Sequence, residues 1–79
     1  MPTDIAVNQT LDTRGTLCPV PVIRVRQHME KMASGEVLKL LASDPGSKRD
    51  IPSWARMTGH TLVHSETQDG TFTFWIKKS

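Results

Sequence analysis

Val22, Val25, Met29, Met32 and Ala33 recur at i, i+3, i+7, i+10 and i+11. On a helix they share an arc of about 100°, and Arg24, Gln27, Lys31 and Ser34 fall outside it. This amphipathic helix lies between two segments of different period. Before it, Val7, Gln9, Leu11 and Thr13 alternate with Asn8, Thr10, Asp12 and Arg14, a weak period of two that suits a half-buried strand ended by Gly15. After a stop at Ser34-Gly35, with Gly35 as the left-handed C-terminal residue, Glu36 to Ser43 carries Val37, Leu38, Leu40, Leu41 and Ala42. Apolar residues on both alternating faces mark a central strand covered at least partly on both sides. Strand, helix, strand with a crossover this long dictates a parallel pair and a right-handed connection.

Asp44-Pro45-Gly46-Ser47 is a turn cluster. A second helix is expected from Ser47 to Thr58, with Ile51, Trp54, Ala55 and Thr58 on one face and Gly59 as its stop. Two starts compete: Ser47 with Asp50 in a variant capping box, or Asp50 as the cap with Pro52 in the first turn. Thr61 to Thr67 and Thr71 to Lys77 flank Gln68-Asp69-Gly70 and read as an antiparallel hairpin, with Phe72, Phe74 and Ile76 on the core face. The expected architecture is α/β: a two-layer sandwich in the order βαβαββ, with a four-stranded mixed sheet and two helices on one face. The other face stays partly open, with Trp75 as its outward aromatic. Residues 1–6 lack periodicity and read as a tail, leaving 7–79 as a single domain.

At 79 residues the chain supports one core and is too short for a dinucleotide-binding domain. Its net charge of +2 leaves too little surplus for a nucleic-acid footprint, so no direct nucleic-acid partner is expected. The apolar runs are broken by Lys39 and fall far short of the ~20 residues of a membrane span. The N-terminus has neither the positive start nor the apolar stretch of a secretory signal. A lone cysteine forms no intramolecular disulfide, and a cytoplasmic location is expected.

Chemistry concentrates in Leu17-Cys18-Pro19-Val20-Pro21, where the first strand hands over to the first helix. With Cys18 as N-cap and Pro19 at the first helical position, the thiol sits over a helix N-terminus whose dipole and free amides favour the thiolate. Pro19 and Pro21 remove two donors, leaving chiefly the amides of Val20 and Val22. Arg14 and Arg24 are near in sequence and add positive potential. Two readings of Cys18 stay open on local features alone: a small buried hydrophobe or a reactive thiol on a functional loop.

His60 and His64 flank Thr61-Leu62-Val63 and are expected on one strand face. Their separation of about 13 Å is too long for one metal ion, so no metal site is expected. His28 lies on the flank of the first helix. Met29/Met32 and Trp54/Met57 suit core or interface packing. Lys48-Arg49 with Arg56 forms either an ordinary solvated face or a receptor for an anionic partner.

Leu11-Asp12-Thr13-Arg14-Gly15, Cys18-Pro19-Val20-Pro21, Gly35-Glu36-Val37-Leu38, Ala42 to Ser47 and Arg49-Asp50-Ile51-Pro52 together resemble the TusA (SirA-like) sulfur-carrier family over about residues 10 to 78. The βαβαββ order is also that family's fold. The resemblance implies a carrier-type sulfurtransferase in which Cys18 accepts sulfane sulfur as a persulfide or thiosulfonate and relays it. The implied donor is a cysteine desulfurase or rhodanese-like protein, and the implied acceptor is a protein such as a DsrE-like one. No metal or organic cofactor is implied. Gly15, Pro19 and Pro21 match as positioning residues, and Asp44, Arg49 and Asp50 as docking residues. Members that feed tRNA thiolation tend to place Arg before the cysteine and Glu between the prolines. Leu17 and Val20 here resemble more closely the members linked to dissimilatory sulfur oxidation. A carrier that presents one thiol to two partners is expected to be monomeric. The rival reading is a non-catalytic interaction or regulatory module with a structural Cys18.

Overall fold

The structure is a computed structural model that describes residues 6–17 and 19–79. The elements run β1 (Gln9–Asp12), α1 (Val20–Glu30), β2 (Val37–Ala42), α2 (Ser47–Thr58), β3 (Thr61–Gln68) and β4 (Thr71–Lys77). The sheet order is β1-β2-β4-β3. β1 lies parallel to β2, and the pairs β2·β4 and β4·β3 are antiparallel. This is the expected mixed sheet with two helices.

Register explains the core. Leu11 opposes Leu40, Leu40 opposes Phe74, and Leu38 opposes Ile76, so one sheet face presents an apolar row. Val25 and Met29 of α1 and Ile51 of α2 close over that row. Each such side chain contributes about 1.5–3 kcal/mol on burial.

Three local expectations are corrected. α1 ends at Glu30 with Lys31 as its C-cap, four residues before Gly35. Met32 is still buried, because the chain turns inward there, its amide bonding the Met29 carbonyl at 3.1 Å. Gly35 is left-handed, but its amide donates to the Lys78 carbonyl at 2.8 Å, so it closes the sheet end rather than the helix. In α2 neither Ser47 nor Asp50 caps. Gly46 is the N-cap without a side-chain hydrogen bond, and Pro52 lies inside the helix. The amides of Ser47, Lys48 and Arg49 are satisfied instead by the carbonyls of Asp44, Pro45 and Gly46 at 2.9, 3.2 and 3.2 Å, a tight i→i+3 start.

The third correction concerns the helix-free face. A register shift between Leu62 and His64 leaves Val63 as a bulge. Leu62 opposes Ile76 on the core side, whereas His64 opposes Trp75 on the other face. One extra residue reverses the alternation, so His60 and His64 do not share a face. Trp75 points away from the helices, yet it is only 3% exposed. The His64 ring lies 5.2 Å from it and the Lys39 ammonium 5.6 Å, so two amphipathic side chains roof the indole.

Candidate functional site

β1 and β2 end at the same sheet edge, and both helices begin there, so the loops after the two parallel strands converge. Thr13 ties them first: its amide and its hydroxyl both donate to the Leu41 carbonyl, at 2.7 and 2.6 Å. Two residues on, the Gly15 amide donates to Ser43 Oγ at 2.9 Å. Gly15 has φ +86, a conformation that glycine adopts without a Cβ penalty. The Thr16 amide and hydroxyl both return to the Thr13 carbonyl, at 3.2 and 2.6 Å. The segment leading to Leu17 is therefore pinned to the sheet. Thr13 and Ser43 were not singled out in the sequence, although Thr13 shares the inward parity of Leu11.

Cys18 itself lies outside the described residues, as do residues 1–5 of the expected tail. Its chain neighbours are placed. Pro19, not Cys18, is the N-cap of α1, and Pro21 lies in the first turn and is buried. The Val20 amide donates to the Leu17 carbonyl at 2.9 Å. That amide, expected to be free for a thiolate, is already used by the turn. Leu17 and Pro19 are both exposed.

Arg14 does not add free positive charge. Its guanidinium grips Asp12 through Nε at 3.0 Å and Nη2 at 2.8 Å, and its own amide donates to the same carboxylate at 3.0 Å. These hydrogen bonds lower the Asp12 pKa to about 2, the side-chain bonds contributing most. Asp44 lies in the turn before α2, and Arg49 and Asp50 in its first turn, all at this same edge. Arg49 Nε stands 4.0 Å from Asp50 Oδ1, and the Arg49 side chain is almost wholly in water. Ser47 is the reverse: its hydroxyl is buried and has no partner among the described residues.

A cleft of about 220 Å³ lies at the other ends of the helices, lined by Arg26, Glu30, Trp54, His60 and Lys78 among others. Burial, then the nearby Lys78 ammonium, lowers the His60 pKa. His60 Nδ1 accepts the Ser79 amide at 3.1 Å. α1 spans about 16 Å, so the cleft is remote from the residues that flank Cys18.

The family model Sulfurtransferase TusA matches residues 9–78. The chain belongs to the TusA family of sulfur carriers. Relatives described as sulfur carrier protein TusA from Pseudomonas putida (strain GB-1) and Pseudomonas entomophila (strain L48) are each 41% identical over 76 residues, covering 96% of this chain and 95% of theirs. The crystal structure of a SirA-like protein from Desulfitobacterium hafniense superposes with a TM-score of 0.78 at 26% identity, covering 87% of this chain and 95% of that one. Membership in the TusA family carries a broad role in sulfur transfer, and with it protein partners. No helix among the described residues is long and apolar enough to cross a membrane.

Proposed function

We propose that Cys18 is the sulfur-carrying residue, taking sulfane sulfur from a donor protein and passing it to an acceptor protein. The observation that carries this reading is the pinned loop at the edge where both helices begin. The only cysteine of the chain falls between Leu17 and Pro19, two exposed residues that follow a segment fixed by Thr13 and Gly15.

In the loading step the Cys18 thiolate attacks the outer sulfur of a donor persulfide, R–S–SH. A sulfur–sulfur bond forms at Cys18 as the donor's own sulfur–sulfur bond breaks. The donor leaves as its thiolate and Cys18 as a persulfide, with no net oxidation. A second thiolate repeats the exchange on the Cys18 persulfide. With one cysteine in the chain there is no internal thiol to discharge it, so relay is intermolecular. Gly15, Pro19 and Pro21 hold the loop and the helix start. Asp44, Arg49 and Asp50, at the same edge, serve docking. A DsrE-like acceptor and a cytoplasmic sulfur-oxidation route fit the uncharged Leu17 and Val20.

Intact-protein mass spectrometry after exposure to a persulfidated rhodanese or to thiosulfate tests the reading. Wild type gains the mass of one sulfur, with the donor thiolate or sulfite as leaving group, reversibly with reductant, and Cys18→Ser gains nothing. Equal behaviour of the two proteins would favour the interaction-module reading.

A further inference from the structure

We infer that the cleft of about 220 Å³ at the far ends of the helices is a binding site for a small organic carboxylate with a flat apolar body, its head held by Arg26 and Lys78 and its body against Trp54. The site lies away from the edge that carries Cys18, and it takes its ligand whether or not Cys18 carries sulfur.

Size and apolar lining set the body of the ligand. The cleft is smaller than the roughly 300–1,000 Å³ of sites for drug-sized molecules and suits about ten non-hydrogen atoms. Met29, itself buried, lines it together with Trp54 and His60, whose ring centroids lie 5.2 Å apart with the planes tilted by 41°. A bare inorganic anion makes no use of that surface. The ligand therefore carries an apolar part, and the ring pair favours a flat one.

Charge sets the head group. Arg26 is exposed and forms no ion pair among the described residues. Lys78 is held on both sides: its amide donates to the Glu36 carbonyl at 2.9 Å, and its carbonyl accepts the Gly35 amide at 2.8 Å. Its ammonium donates to the Met32 carbonyl at 2.5 Å, which leaves two of three N–H donors for a ligand. A cation already ordered in the free protein loses little entropy when an anion arrives. His60 adds a donor. Its Nδ1 accepts the Ser79 amide at 3.1 Å, which puts the proton of the neutral ring on Nε2. Burial, then the Lys78 ammonium, lowers the His60 pKa, so the ring is neutral near pH 7 and feels the positive potential of the cleft. Among the described lining residues Glu30 is the one carboxylate. The Ser79 carbonyl is taken by the Ser34 hydroxyl at 3.0 Å and is not part of the lining. Two cations against one carboxylate leave the excess positive charge that one carboxylate head complements.

The test titrates the full chain with benzoate, with benzamide as its uncharged isostere and with acetate as a head without a body, and follows amide and indole NMR shifts. Benzoate should shift Trp54, Thr58, His60 and Lys78 along one saturable curve and bind at least about fivefold tighter than benzamide or acetate. Arg26→Gln and Lys78→Gln should each weaken benzoate about threefold or more, Glu30→Gln should tighten it, and added salt should weaken it. Cys18→Ser should bind benzoate as wild type does. Arg26 is exposed, so its variant decides the matter if Lys78→Gln fails to fold. Benzamide binding as tightly as benzoate, shifts spread over the surface without saturation, wild-type affinity in Arg26→Gln, or loss of binding in Cys18→Ser overturns the site and leaves the carrier reading of Cys18 untouched.

Discussion

The Gly15 amide and the Ser43 hydroxyl meet at 2.9 Å across 28 residues of sequence, joining the loop after β1 to the loop after β2. With the two bonds from Thr13 to Leu41, this makes the approach to Cys18 part of the sheet rather than a free loop. Ser43→Ala should cost about 0.5–1.5 kcal/mol. Gly15→Ala meets no atom within 4 Å of an added Cβ, so its cost is backbone strain alone, about 1–2 kcal/mol. Both should slow persulfide loading more than the fall in urea midpoint accounts for. Loading at the wild-type rate would show that the tether does not position the thiol.

Ser47 shows the opposite case, a buried hydroxyl with no partner among the described residues. Leaving such a group unsatisfied costs about 1–3 kcal/mol. Ser47→Ala should therefore be neutral or stabilising in chemical denaturation. A loss above about 1 kcal/mol would mean that the hydroxyl has a partner.

Trp75 tests how the helix-free face is held. An exposed aromatic there could be truncated at little cost, whereas an indole roofed by Lys39 and His64 is a second small core. Trp75→Ala should cost about 3–5 kcal/mol, much of the total for a domain of this size. Lys39→Ala should uncover the indole, red-shift Trp75 emission and cost about 0.5–1 kcal/mol. Stability unchanged by Trp75→Ala would refute the roofing.

Asp12 and His60 each contribute a pH dependence of definite sign. The folded pKa of His60 lies below its ordinary value, so the unfolded chain binds the proton more readily and stability falls as pH drops below about 6.5. His60→Gln should flatten that slope between pH 5 and 7.5 in thermal melts. Asp12 has the carboxylate pattern: its folded pKa of about 2 gives stability that is complete above 3.8 and fades as pH falls through 2. Arg14→Gln should bring the folded pKa back toward 3.8 and so shrink this contribution and its acid limb. A wild-type acid limb in either variant would contradict the assignment.

How much of this was legible in the sequence differs by element. The end of α2 came directly from Ile51, Ala55 and Gly59, because one apolar face and one left-handed stop coincide, whereas its start stayed open because Gly46 caps it without a side chain. β2 was equally clear from its apolar residues on both faces. The end of α1 was not, since Met32 keeps the helical spacing while it is buried by a turn instead. The split of His60 from His64 needs the Val63 bulge, a property of pairing with β4 that no local pattern carries. Trp75 read as outward, which it is, but its burial depends on Lys39 and His64 from two other strands. At the site, the residue types Cys18, Pro19 and Pro21 were readable, whereas the one-residue shift of the helix cap and the use of the Val20 amide emerged only from geometry.

The central claim is that Cys18 holds sulfur covalently and gives it up to another protein. The most direct measurement is a label chase: load wild type from a donor carrying isotopic sulfane sulfur, remove the donor, add a DsrE-like acceptor, and follow both proteins by mass. The account predicts that label leaves the Cys18 peptide and appears one for one as persulfide on an acceptor cysteine. Label that never resides on the Cys18 peptide, or that leaves only as free sulfide while the acceptor stays unlabelled, would contradict it.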